Sequence, residues 1–168
     1  MRIHNFIKVL FLTLVLSQTN YLTAQSDLPT TQIKSLDGKN VTLKDYIKEG
    51  RVTVISFWAT WCAPCKKELD AINEVYEDWQ KSYGVELIAI STDDARSSSK
   101  IKPMVEQKGW EYTILSDPNQ ELQKAFNFQA VPQTFLVDQS GKIVWTHSGY
   151  VPGDENELEE KIKELVSK

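Results

Sequence analysis

Cysteine and histidine are scarce in this 168-residue chain: two cysteines, Cys62 and Cys65, and two histidines, His4 and His147. No cysteine lies near the end of the N-terminal apolar segment, which argues against a lipid anchor there. Basic clusters are missing beyond short lysine pairs, and 23 acidic side chains outnumber 19 basic ones. That balance excludes a nucleic-acid binder. The apolar run Val9 to Leu16, interrupted by Thr13, falls well short of the roughly 20 residues that span a bilayer. Internal repeats and low-complexity linkers are also lacking, so the length points to one domain plus a small extra.

The extra is N-terminal. Arg2 and Lys8 supply positive charge, the apolar run follows, and a polar stretch ends at Thr23-Ala24-Gln25. This order is that of a secretory signal. Residues 1–24 are expected to be a signal peptide and residues 25–168 the domain, placing the protein in an exported, periplasmic compartment. An uncleaved N-terminal membrane anchor is the alternative. Exported compartments are oxidising, so the two cysteines could form a closed disulfide. A bridge between residues three apart closes a very small loop, however, and stabilises only weakly through chain entropy.

The pattern of apolar residues lays out the elements. Thr30 to Leu36, Asp37-Gly38 and Val41 to Leu43 give a hairpin signal. Leu43 to Glu49 reads as one or two helical turns ended by Gly50. Val52 to Trp58 is nearly all apolar, as in a buried central strand. Leu69, Ile72, Val75, Tyr76 and Trp79 recur at helical spacing until Gly84. A strand over Val85 to Ile90, a helix from about Ser99 to Lys108, a short strand Tyr112 to Leu115 and a helix Gln120 to Phe126 follow. Thr134 to Val137 and Lys142 to Thr146 read as strands joined by Asp138-Gln139-Ser140-Gly141. The last helix is expected to be capped by Asp154, with Glu157 completing a capping box. The alternation of strands and helices predicts an α/β fold with a mostly parallel sheet and an antiparallel edge from the late hairpin.

Both cysteines fall where the buried strand meets the long helix, in Phe57-Trp58-Ala59-Thr60-Trp61-Cys62-Ala63-Pro64-Cys65-Lys66-Lys67-Glu68. A Cys-x-x-Cys delivered to the first turn of a helix suits thiol–disulfide exchange. Exchange needs a thiolate, and the unpaired N–H groups and partial positive charge of a helix N-terminus favour one at Cys62. Cys65, a turn deeper, is expected to resolve the mixed disulfide. Pro64 is tolerated in the first turn because its missing N–H would be unpaired anyway. Lys66 and Lys67 read as a solvated helix face, and His147 as a structural residue. Trp58, Trp79, Trp110 and Trp145 read as packing or groove residues, and Trp61 as a surface residue beside the dithiol.

That stretch, together with Val131-Pro132-x-Thr134-Phe135 and the Asp138 to Gly141 turn, resembles the TlpA/ResA-like branch of exported thioredoxin-fold oxidoreductases over residues 28 to 168. The resemblance implies a thioredoxin-like fold: a central mixed sheet flanked by helices, with an N-terminal β-hairpin and a central insert at about Thr92 to Leu115. It implies a cis Val131–Pro132 bond beside the dithiol. Trp61, Ala63, Pro64, Val131 and Pro132 would then form the substrate platform. It links Glu68 to proton handling at the thiols; the other reading of Glu68 is a solvated helix acid. Two positions depart from ordinary thioredoxins. Ser56 stands where they carry a buried acid, and Asp70 where they carry a helix-kinking proline. The implied partners are protein disulfides or dithiols, including apocytochrome c, and a membrane thiol-reductant transporter. A monomer without metal or organic cofactor is expected.

Two other readings are open to this fold. A peroxidase of the peroxiredoxin type needs Pro-x-x-x-Thr/Ser-x-x-Cys, but Ile55 and Ala59 occupy the proline and hydroxyl positions. A copper metallochaperone would use both cysteines and a histidine; here the cysteine spacing is one residue short and His147 is the only candidate.

Overall fold

The computed structural model describes residues 28–167; the signal-peptide expectation for 1–24 lies outside them. Seven strands form one sheet in the order β2-β1-β5-β4-β3-β6-β7. They are β1 (Gln32–Ser35), β2 (Asn40–Thr42), β3 (Thr53–Trp58), β4 (Glu86–Ser91), β5 (Thr113–Ser116), β6 (Gln133–Val137) and β7 (Ile143–Ser148). The helices are α1 (Ala63–Tyr83), α2 (Ile101–Lys108), α3 (Glu121–Ala125) and α4 (Asp154–Val166), with 3-10 turns at Leu43–Tyr46 and Ser98–Lys100. None of the described helices is long and apolar enough to cross a membrane.

Only β3–β4 and β4–β5 pair in parallel. The leading hairpin docks antiparallel on β5, and the late hairpin docks antiparallel on β3. The sheet is therefore mixed, not mostly parallel. Tight turns force each hairpin to be antiparallel, and one hairpin sits on each side of the three-stranded parallel centre. The expected central insert holds α2 and supplies β5, which joins the leading hairpin to the rest of the sheet.

The two-residue side-chain period of the strands splits the core in two. Val54 and Trp58 of β3, Leu87 and Ala89 of β4, and Leu136 of β6 pack beneath α1, α2 and α4. Ile55 and Phe57, Ile88 and Ile90, and Phe135 and Val137 face the opposite way, toward Leu43 and α3. Leu69, Ile72, Tyr76 and Trp79 place one stripe of α1 on the sheet. Burying Leu69 and Ile72 contributes ~1.5–3 kcal/mol each. Gly84 ends α1 in the left-handed region at φ 64°, a conformation that glycine adopts without steric cost.

The capping box expected at Asp154 is not formed. Gly153, at φ 108°, is the N-cap of α4 and Asp154 is its first helical residue. The Asp154 carboxylate is turned back to accept the Val151 N–H at 2.8 Å. The carboxylate of Glu155 takes the Gly153 N–H at 3.1 Å.

Candidate active site

The end of β3 hands the chain to α1 through Ala59-Thr60-Trp61. This turn is clamped from the loop that follows β4. Asp93, 1 % exposed, accepts the Thr60 N–H and the Thr60 hydroxyl, each at 2.7 Å, and the Ser91 hydroxyl at 2.7 Å. Lys66 reaches back from α1 to donate to the Thr60 carbonyl at 3.0 Å, so it is engaged with the turn rather than simply solvated. Asp93→Ala would strand the buried Thr60 N–H. Such a loss costs about 2 kcal/mol, so the urea midpoint of the variant is expected to fall; an unchanged midpoint would show that the clamp contributes nothing.

Cys62 is the N-cap of α1, and its sulfur accepts the Cys65 N–H at 3.2 Å. The two cysteines are joined as a disulfide. Cys62 is 4 % exposed and Cys65 fully buried, so only the first sulfur is open to a partner. Ala63 and Pro64 fill the first two helical positions and are exposed. Trp61 is 70 % exposed beside them, whereas Trp58 is buried edge-to-face on Trp110, with ring centroids 5.1 Å apart. Across from Cys62, the Val131–Pro132 bond is cis. The Val131 carbonyl oxygen lies 3.8 Å from Cys62 Sγ. All five residues expected on the substrate platform thus lie in the two segments that meet at Cys62.

Glu68 is not a solvated acid. It is 5 % exposed, and its carboxylate accepts the Thr134 hydroxyl at 2.6 Å and the Ser56 hydroxyl at 3.3 Å. Burial pushes its pKa up to about 7, against the lowering effect of the two hydroxyls and of His147. The Ser56 position, lacking an acid of its own, donates to the acid that α1 supplies. Asp70 leaves α1 continuous and takes the Lys108 ammonium at 2.6 Å and the Trp110 indole N–H at 3.1 Å.

Two parts of this site are not legible in the sequence. Thr134 lies in the Val-Pro-x-Thr stretch, where nothing local ties it to Glu68. Asp93 lies in a polar loop where nothing local distinguishes it from Asp94. His147, read as structural, stacks on Trp145 with rings 9° from parallel and sets Nε2 3.1 Å from Asp154 Oδ2. Among the described residues no three His, Cys, Asp or Glu side chains are grouped to hold a metal ion. Ile55 and Ala59, at the positions a peroxiredoxin motif would need, are fully buried and apolar.

A Cys-x-x-Cys disulfide at a helix N-terminus, beside the Val131–Pro132 segment at one end of a mixed α/β sheet, defines a thiol–disulfide oxidoreductase of thioredoxin-like fold. The AhpC/TSA family model matches residues 24–146, and the chain belongs to that family. It is 32 % identical over 140 residues, 83 % of this chain and 77 % of the relative, to the thiol-disulfide oxidoreductase ResA of Bacillus thuringiensis subsp. konkukian. Among solved structures, a thioredoxin-like protein from Porphyromonas gingivalis is 45 % identical with a TM-score of 0.75, covering 83 % of this chain and 92 % of its own. A candidate thiol:disulfide interchange protein DsbE from Chlorobium tepidum is 27 % identical with a TM-score of 0.74, covering 84 % and 96 %.

Proposed function

We propose that the protein is an exported reductant of disulfides in other exported proteins, apocytochrome c among them, and that a membrane thiol-reductant transporter returns it to the dithiol state. The observation that supports exchange chemistry is a buried carboxyl, Glu68, with its pKa raised to about 7, one helical turn beyond the buried Cys65. The Cys62 thiolate, favoured by the N-terminus of α1, attacks one sulfur of the substrate disulfide. An S–S bond to Cys62 forms and the first substrate thiolate leaves to take a proton. Cys65 then gives its proton to the Glu68 carboxylate and attacks Cys62 Sγ. The second substrate thiolate leaves, so the substrate gains two electrons and the Cys62–Cys65 disulfide is formed. An acceptor whose pKa lies near neutrality is well matched to this transfer. The Trp61, Ala63 and Pro64 surface and the Val131 backbone would hold an extended substrate segment against the dithiol.

The family itself is compatible with peroxidase chemistry only if the motif around the cysteine is present, and Ile55 and Ala59 lack both groups it requires. The direct test is Cys65→Ser. This variant is expected to accumulate mixed disulfides through Cys62 with exported proteins, resolved by non-reducing electrophoresis and released by a small thiol. Mass spectrometry of the released partners names the substrates. A folded variant that forms no adducts in the exported compartment would overturn the proposal.

A further inference from the structure

Glu68 forms one wall of a narrow cleft that neither cysteine lines. Its polar walls are Thr134, His147, Tyr150, Asp154 and Glu155. The space inside admits the centre of one water at most, about 10 Å³, which is near the lower limit for holding a water. The link between Glu68 and the far wall is built by strand register. Thr134, which donates to Glu68, is the cross-strand partner of His147. Directly opposed residues of an antiparallel pair hold their side chains on the same face, with Cβ atoms about 5 Å apart. The His147 ring is held by its stack on Trp145 and by Asp154, whose carboxylate is itself fixed by the Val151 N–H. The side chains of His147 and Asp154 are 27 % and 21 % exposed. The pair therefore stands between solvent and the buried carboxyl.

Charged and titratable groups face Glu68 from several elements. β7 offers His147, α4 offers Asp154 and Glu155, the segment between them offers Tyr150, and the segment before β5 offers Tyr112. Burial keeps both tyrosines neutral: Tyr150 is pushed up to about 12 and Tyr112 is raised further, its hydroxyl donating to the Leu69 carbonyl. Glu155 is occupied by the Tyr150 hydroxyl at 2.9 Å and the Gly153 N–H. His147 and Asp154 remain as the groups of opposite sign that act on Glu68, the first favouring its ionised form and the second opposing it.

We propose that His147 and Asp154 are positioning residues for Glu68, and that the charge carried by this pair sets the pH at which Glu68 gains and loses its proton. The inference rests on the reading of Glu68 as proton acceptor for Cys65, and it adds a control at the solvent side. A positive charge on the His147 ring favours the ionised Glu68, and the Asp154 carboxylate favours the protonated one.

The test uses the oxidised protein, in which the cysteines cannot titrate, and follows the Glu68 carboxyl carbon by 13C NMR across pH. His147→Gln is expected to raise the Glu68 midpoint, and Asp154→Asn to lower it, each by about half a pH unit for a partly solvated charge. A rise in His147→Gln together with a fall in Asp154→Asn supports the proposal, and the reverse pair of shifts overturns it. Midpoints within about 0.1 unit of wild type in both folded variants, or shifts of the same sign, overturn it; such small effects correspond to charges that water fully screens. A role confined to packing would move stability but not these midpoints. The underlying reading is tested separately by Glu68→Gln in the reduced protein. If that variant leaves the pH profile of disulfide exchange unchanged, the proton-acceptor role fails, whatever the carboxyl titration shows.

Discussion

Cys62→Ser protein, prepared with its fold intact, is expected to reduce a peptide disulfide no faster than the uncatalysed reaction with the same reductant. The loss follows from chemistry and access together. A serine hydroxyl neither ionises near neutrality nor makes a bond that exchanges with a disulfide, and the remaining thiol of Cys65 is fully buried. The fold should persist for equally local reasons. Ser is among the preferred helix N-caps, and its oxygen can take the Cys65 N–H that Cys62 Sγ now accepts. The lost cross-link joined residues only three apart, so it constrained the unfolded chain little. Circular dichroism and stopped-flow reduction of a fluorescent disulfide peptide, run on Cys62→Ser and Cys65→Ser in parallel, check the assignment. Cys65→Ser should still form one covalent adduct per molecule while failing to turn over. Turnover by Cys62→Ser would reverse the order of attack.

The second large effect concerns stability. Glu68 has its pKa raised from 4.5 to about 7, with burial the main cause. The sign is set by which state binds more protons. Below pH 4.5 the carboxyl is protonated both folded and unfolded, and burial of the neutral form carries no charge penalty. Between pH 4.5 and 7 the unfolded chain has released the proton and the folded chain has kept it, so stability falls as pH rises. Above about pH 7 both forms are ionised, and the full cost of burying the carboxylate is present. A separation of this size is worth roughly 3 kcal/mol. Glu68→Gln is expected to match wild type in urea denaturation near pH 4 and to exceed it by about that amount near pH 8. Its amide can still face both hydroxyls, since those of Ser56 and Thr134 can turn to accept as well as donate. Equal stability of the two proteins at pH 8 would show that Glu68 is not desolvated. The same variant is expected to exchange disulfides more slowly, as a carboxylate kept at the expense of stability for function would require.

Local pattern carried much of this molecule. The apolar run before Trp58, the helical spacing from Leu69 to Trp79 and the Asp138 to Gly141 turn each lie within one element, and hydrophobic period reads such elements well. It read less well where the end of a helix depended on its neighbours. Asp154 has the sequence form of a cap, yet it serves the Val151 N–H and His147 because β7 and the loop after it come up against α4. Direction of pairing was also under-read. Periodicity reports which residues face a core but not which edge a hairpin joins, so the docking of the leading hairpin on β5 came from the assembled sheet.

The sequence by itself determined the reactive pair. Two cysteines three apart, between a buried strand and a helix, are placed by bonds and local hydrogen bonds alone, and their chemistry follows from residue type and position. Tertiary structure decided what surrounds them. Val131 reaches Cys62 across 69 residues of chain, Thr134 reaches Glu68 across 66, and Asp93 reaches Thr60 across 33. A carboxyl's charge state depends on how much water it loses and which charges are brought beside it. Those quantities belong to the register of β3, β6 and β7 and to the packing of α1 and α4, so the residue type at 68 left open what the folded sheet resolves: a buried acid rather than a solvated one.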